Sequence, residues 1–198
     1  MILYFDTETT GLTPGRIIQL SYIMADKGEV KGKNFYFAVD YIDPAATAVH
    51  GITVEKLSAL SGGHTFSEYQ DEIYDDFFSA DVIAGHNVKF DIGFMIAEFK
   101  YLDRIFRYNE SFDSMRFFTP IMKLTRPNSA AYKYPKLAEL MQFAEVYPYD
   151  VSRAVREIFG SSSLDFHDAT FDTAALYLSV EALKNETPQL MAFVEKFG

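Results

Sequence analysis

Three short segments of this 198-residue chain carry carboxylates at positions from which they could act together. Asp6 and Glu8 lie two residues apart, at the end of an apolar run that begins at Ile2. Residues i and i+2 of a strand project from one face, so both acids can be aimed at one point. A strand end calls for polar residues in any case, and this pair alone fits either reading. Gly85 to Asp91 repeats the design, with an apolar strand, a turn at His86 and Asn87, and an acid in the first turn of a helix. That acid equally suits the helix dipole. His167 stands five residues ahead of Asp172, the His at the mouth of a helix and the Asp upon it. Each segment is weak by itself, but strand ends and helix starts from three places meet at one sheet edge, where open α/β sheets bind ligands. Four acids with one His and no Cys suit hard, oxygen-seeking divalent ions such as Mg²⁺ or Mn²⁺. Zinc sites are richer in His or Cys. Acids gathered this closely repel one another unless cations neutralise them, so the cluster itself implies metal.

The rest of the chain limits the choices. Hydrophobic residues make up 48% and aromatics 16%, a globular composition that excludes wholesale disorder. The absence of Cys excludes disulfides and thiolate chemistry. No apolar run approaches the roughly 20 residues of a membrane span, and the N-terminus lacks the pattern of a signal peptide, which makes the cytoplasm the expected location. The net charge of −10 opposes general electrostatic attraction to nucleic acid. Residues 100–136 depart from it, with eight Lys/Arg against three acids. Interleaved there are Tyr101, Phe106, Tyr108, Phe117, Phe118, Tyr132 and Tyr134. An ordinary mixed surface and a groove that tracks a strand both fit this composition.

Patterning supplies the elements that must hold these residues. Strands are expected at Ile2–Phe5, at Arg16–Ala25 and, after a turn at Asp26–Gly28, at Lys33–Val39, so the chain opens as a three-strand meander. Ser67 to Gln70 fits a capping box ahead of a helix to Ser79. Val82–Ala84 reads as a buried strand and Phe90–Leu102 as a helix. Further helices are expected at Tyr134–Ala144, at Ser152–Phe159 with a stop at Gly160–Ser163, at His167–Leu183, and from Pro188. This order predicts an α/β fold with a mixed sheet, and no linker divides residues 1–198, so one domain is expected.

The motifs resemble those of the DEDDh 3′–5′ exonucleases, the DnaQ-like branch of the ribonuclease-H-like fold. The first motif, from Phe5 to Leu12, contains D-x-E-T-T-G-L; the second runs from His86 to Asp91; the third runs from His167 to Asp172. A His five residues before the last Asp matches the histidine branch. His50, Gly51 and Ile52 match the H-G-I segment between the first two motifs. Two departures stand out: an insertion spanning Val146–Ser163 and a bulky Phe171 beside the last Asp.

The resemblance implies a mixed five-stranded sheet flanked by helices, with the meander first, and release of nucleoside 5′-monophosphates from the 3′ end of single-stranded DNA or RNA. It implies two divalent ions, Mg²⁺ or Mn²⁺, held by Asp6, Glu8, Asp91 and Asp172, with His167 as general base. Thr9, Leu12, Ile52 and Asn87 become candidates for contact with the strand end, while Leu12 and Ile52 also fit a core. His50 is expected to brace its loop. The resemblance also tips the basic segment towards a strand-tracking groove. A DNA polymerase or a repair protein is the further partner that the resemblance implies, and no membrane partner is expected. Two rivals remain: a binding or polymerase-partner module without turnover, and a hydrolase of very short oligonucleotides. DNA against RNA and the oligomeric state are left open.

Overall fold

The computed structural model describes residues 1–12, 15–160 and 168–198. The chain begins with strands β1 (Ile2–Thr9), β2 (Ile17–Asp26) and β3 (Glu29–Tyr36). Strand β1 continues past Phe5, so Asp6 and Glu8 stand within the strand and not beyond its end. Lys27 and Gly28 both have positive φ, 49° and 86°, and make a two-residue hairpin turn whose twist suits the flanking strands. Asp26 therefore pairs directly with Glu29, and β3 starts and ends earlier than expected from its alternation.

Two short helices follow, α1 (Pro44–His50) and α2 (Val54–Ser61), neither of them expected from apolar periodicity. Asp43 accepts from the Ala45 N–H and Thr53 from the Lys56 N–H, and each helix ends on a left-handed glycine, Gly51 and Gly62. Helix α3 (Phe66–Ser79) starts one residue before the expected capping box, because Thr65 is its N-cap and the Glu68 carboxylate accepts from the Thr65 N–H at 2.6 Å.

Next come β4 (Val82–Gly85), α4 (Lys89–Tyr101), β5 (Glu110–Asp113), α5 (Ser114–Met122), α6 (Leu137–Phe143), α7 (Pro148–Phe159), α8 (Ala169–Leu183) and α9 (Pro188–Phe197). The expected helix at Tyr134 starts only at Leu137, since Lys136 is extended and the Lys136 N–H is capped by Glu139. Helix α7 begins four residues earlier than its pattern suggested, at the Pro148 that suits a first turn. The helix expected from His167 begins at Ala169; His167 itself, and the stop at Ser161–Ser163, lie outside the described residues.

The sheet has the order β3-β2-β1-β4-β5, with β1 antiparallel to β2 and parallel to β4. This is the mixed five-stranded sheet flanked by helices, meander first, of the ribonuclease-H-like expectation. Alternation along β1 divides the core between two faces. Ile2 and Tyr4 point to the cluster holding Leu176 and Val180 of α8 and Val151 and Val155 of α7. Leu3 and Phe5 point to the other, with Phe77 of α3 and Met95 and Phe99 of α4. The inserted segment contributes to the fold, since α7 packs so closely on β3 that a Cβ at Gly32 would come within 2.6 Å of Ile158 Cγ2. Phe171, the bulky neighbour of Asp172, is buried in the same cluster as α7.

Candidate active site

The alternation that builds the core also builds the site. Continuing along β1, Asp6 and Glu8 fall on the Ile2/Tyr4 side, towards α8, whose first turn carries Asp172. Ligand oxygens of Asp6, Glu8 and Asp172 all lie within 4.8 Å of one another. Thr7 falls on the opposite side, towards α4, and there it meets Asp91. The Asp91 Oδ1 accepts from the Thr7 N–H at 3.1 Å and from the Thr7 hydroxyl at 2.7 Å. Asp91 is thereby anchored beside the cluster, though not within that group of three. The β1–β2 register shifts between Glu8 and Thr9. Such irregularities turn a strand end and re-aim its side chains.

The electrostatics are those of crowded carboxylates. Burial, and then the charges of Asp91, Asp172, Glu8 and Asp168, hold the Asp6 carboxyl well above its ordinary value. Burial, followed by Asp172, Asp168 and Asp91, pushes Glu8 up to about 9. Burial raises Asp91 to about 7 against the lowering effect of its bonds from Thr7. Between the ordinary carboxylate values and these raised ones, the folded chain holds protons that the unfolded chain has released. Stability must therefore fall as pH rises through that window. His50 and His86, lowered by burial, act in the opposite sense below about pH 6.5, so the decline is to be read above pH 7. By calorimetry in EDTA, the melting temperature should drop from pH 7 to pH 9. A flat or rising profile would show that the acids do not burden the fold.

A cavity of about 510 Å³ opens beside Glu8, lined among others by Thr7, Thr9, Leu12, Val49, His50 and Phe90. A larger one of about 880 Å³, with Arg16, Tyr41 and Tyr101 in its wall, contains none of the four acids. Leu12 is 79% exposed and stands ready for contact. Thr9 is buried, and the Thr9 hydroxyl donates to the Gly11 carbonyl, holding the turn that presents Leu12. Ile52 is not brought to the cavity. It is 3% exposed and packs with Ile18, Ile42 and Leu57, because the Ile52 N–H donates to His50 Nδ1 and pulls the chain inward after Gly51. Val49, exposed on α1, forms that wall in its place. Asn87 is exposed, adopts a left-handed φ of 68°, and the Asn87 N–H donates to Asp113. His64 bonds Glu68 at the surface, and His86 bridges Ser114 and the Pro135 carbonyl.

Sequence reasoning passed over Val49, Phe90 and the bond that anchors Asp91. It also passed over Gln19, whose signal was legible: one amide in the middle of an apolar strand. In the basic segment, Arg104 pairs with Asp71 and lies over Tyr74, Lys133 pairs with Glu139, and Arg116 pairs with Asp113. Part of that positive charge is thus used inside the fold.

Asp6, Glu8 and Asp172 meet with Asp91 anchored beside them, and Glu8 faces a lined cavity. This is an acidic setting suited to a hydrolase, and the chain belongs to the exonuclease family: the family model described as Exonuclease matches residues 3–148. It is similar to DNA polymerase III subunit epsilon of Escherichia coli (strain K12), with 37% identity over 112 residues, 52% of this chain and 44% of that protein. It is also similar to the PolC-type DNA polymerase III of Pediococcus pentosaceus, with 32% identity over 142 residues, 66% of this chain and 9% of that one. The matched segment thus spans less than half the length of either relative. Among the described residues, no helix is long and apolar enough to cross a membrane.

Proposed function

We propose that residues 1–198 form one metal-dependent 3′–5′ exonuclease domain, releasing nucleoside 5′-monophosphates from the 3′ end of single-stranded DNA or RNA. The observation that carries this reading is the meeting of Asp6, Glu8 and Asp172 within 4.8 Å, with Asp91 held beside them. An all-oxygen donor set, in which Asp6 and Glu8 stay protonated well above the ordinary range, fits hard divalent ions and fits Mg²⁺ or Mn²⁺ best. Asp6, Glu8 and Asp172 would hold one ion, and Asp6 with Asp91 a second. When bound, such a pair stabilises charge on both the attacking and the leaving oxygens of an in-line displacement.

The chain's own groups do the rest. Glu8 and the wall of Leu12, Val49 and Phe90 receive the terminal nucleotide. His167 takes a proton from the attacking water, whose oxygen forms a bond to phosphorus as the bond to the 3′-oxygen breaks. That oxygen leaves with a proton from solvent, and the shortened strand keeps its 3′-hydroxyl. The likeness to two polymerase III proteins supports a DNA polymerase as partner.

The test is incubation of the purified chain with 3′-labelled and 5′-labelled single-stranded DNA and RNA, in Mg²⁺, Mn²⁺ or EDTA. Metal-dependent release of 5′-mononucleotides from the 3′ end is the expected result, and it ranks DNA against RNA. Intact strand binding with no turnover in any metal would replace the reading with that of a binding module. Activity confined to the shortest oligonucleotides would replace it with that of a short-oligonucleotide hydrolase.

A further inference from the structure

Strand β2 carries one amide in its apolar stretch, Gln19, fully buried and opposite Glu8 in the β1–β2 register. A buried amide is costly unless its donors and acceptor are matched. Here they are, and the partners belong to the start of α8. The Gln19 Nε2 donates to Asp168 Oδ1 at 2.7 Å, and Gln19 Oε1 accepts from the Ala169 N–H at 3.2 Å. The same Nε2 also lies 3.0 Å from Asn34 Oδ1 and 3.1 Å from the Tyr36 hydroxyl, and that hydroxyl donates to Asp168 Oδ2 at 3.1 Å.

Asp168 is the N-cap of α8. Its Oδ1 accepts from the Thr170 N–H at 2.8 Å and from the Thr170 hydroxyl at 2.6 Å. The Asp168 carbonyl in turn accepts from the Asp172 N–H at 3.2 Å. A continuous chain of bonds therefore runs from the strand position facing Glu8, through the helix cap, to the helix turn that carries Asp172. Capping alone needs only the bonds within α8. The bonds from Gln19 add something capping does not require, a fixed position of that helix end against β2.

We infer that Gln19 is a positioning residue for the acidic edge: its side-chain amide pins the first turn of α8 to β2 and so keeps Asp172 within reach of Asp6 and Glu8. The inference rests on the proposed metal-dependent function, because it assigns Gln19 an effect on how well that edge takes up a cation. Groups that orient metal ligands typically cost 10–100-fold in affinity when removed. Gln19→Leu removes both bonds to α8. Gln19→Glu keeps the acceptor for Ala169 but sets a second carboxylate against Asp168, and Asp168→Asn in the same chain restores a donor between the two positions.

The experiment measures Mn²⁺ binding to the full chain by the electron paramagnetic resonance signal of free Mn²⁺, without substrate, alongside thermal melts. Gln19→Leu and Gln19→Glu should each weaken Mn²⁺ binding by roughly 10–100-fold at a temperature where the chain stays folded. Gln19→Glu with Asp168→Asn should recover to near the affinity of Asp168→Asn alone. A lower melting temperature with unchanged Mn²⁺ affinity overturns the inference, since a merely structural residue would behave in that way. If Gln19→Leu does not fold, the Glu variant decides, and no recovery in its double variant overturns the inference. A wild-type chain that takes up no Mn²⁺ removes the metal reading itself; wild-type uptake matched by every variant removes only the role of Gln19.

Discussion

Asp6→Asn should lower the exonuclease rate by on the order of 10³-fold while making the metal-free protein more stable. The two halves share a cause. Asp6 lies among Asp91, Asp172, Glu8 and Asp168, and its charged form is opposed by burial and by all four. A neutral side chain of the same shape removes that opposition, so the melting temperature in EDTA at pH 8 should rise by a few degrees, at roughly 2–4 °C per kcal/mol for a chain of this size. The loss of rate follows from the same negative charge. Stabilisation by a bound ion is worth several kcal/mol, and each ~1.4 kcal/mol is tenfold in rate. Calorimetry and the labelled-strand assay check both halves on one preparation. A variant that loses activity but melts at or below the wild-type temperature would mean that Asp6 is a structural residue and the acids are not strained together.

His167→Ala should cut the rate by roughly 10²–10⁴-fold, the usual worth of general-base help, and leave Mn²⁺ binding as it was. That contrast with Asp6→Asn separates proton transfer from metal holding. The residue lies outside the described residues, and its proposed role rests on the resemblance of the third motif, in which it stands five residues before Asp172. A pH–rate profile gives the sharper reading. The wild-type rate should rise through an apparent pKa near the unperturbed imidazole value of about 6.5. In the variant that limb should vanish, and the residual rate should climb with hydroxide at high pH. An unchanged profile would transfer the proton to another group.

Both predictions concern residues whose chemistry is local and whose meeting is not. The acids at Asp6 and Glu8 could be assigned to one face from their spacing, because alternation along a strand is a local geometric rule. Their continuation within β1, beyond the apolar run, could not, since pairing with Ser21 and Gln19 of β2 holds those residues extended. Helices α1 and α2 had local signals in Asp43–Pro44, Gly51, Thr53 and Gly62 that a search for apolar periodicity passed over. Strand β5 had none. Glu110 to Asp113 is short and largely polar, and it is a strand because β4 offers it a parallel edge. Helix α5 carries Pro120 in its interior, which argues locally against a helix. Ile52 had the right motif neighbours for a surface role, yet the bond from its N–H to His50 turns it into the core.

The sequence alone therefore determined the chemistry on offer: which side chains can ionise, which pairs share a face, and in what order the motifs come along the chain. The tertiary structure alone decided which of them meet. Thr7 and Asp91 are 84 residues apart, and Gln19 and Asp168 are 149 apart. The order of strands in the sheet and the packing of α4 and α8 against opposite faces of β1 bring those pairs together. Alternation and capping act over a few residues and can be read from them, whereas a contact across the sheet depends on every element packed between its two ends.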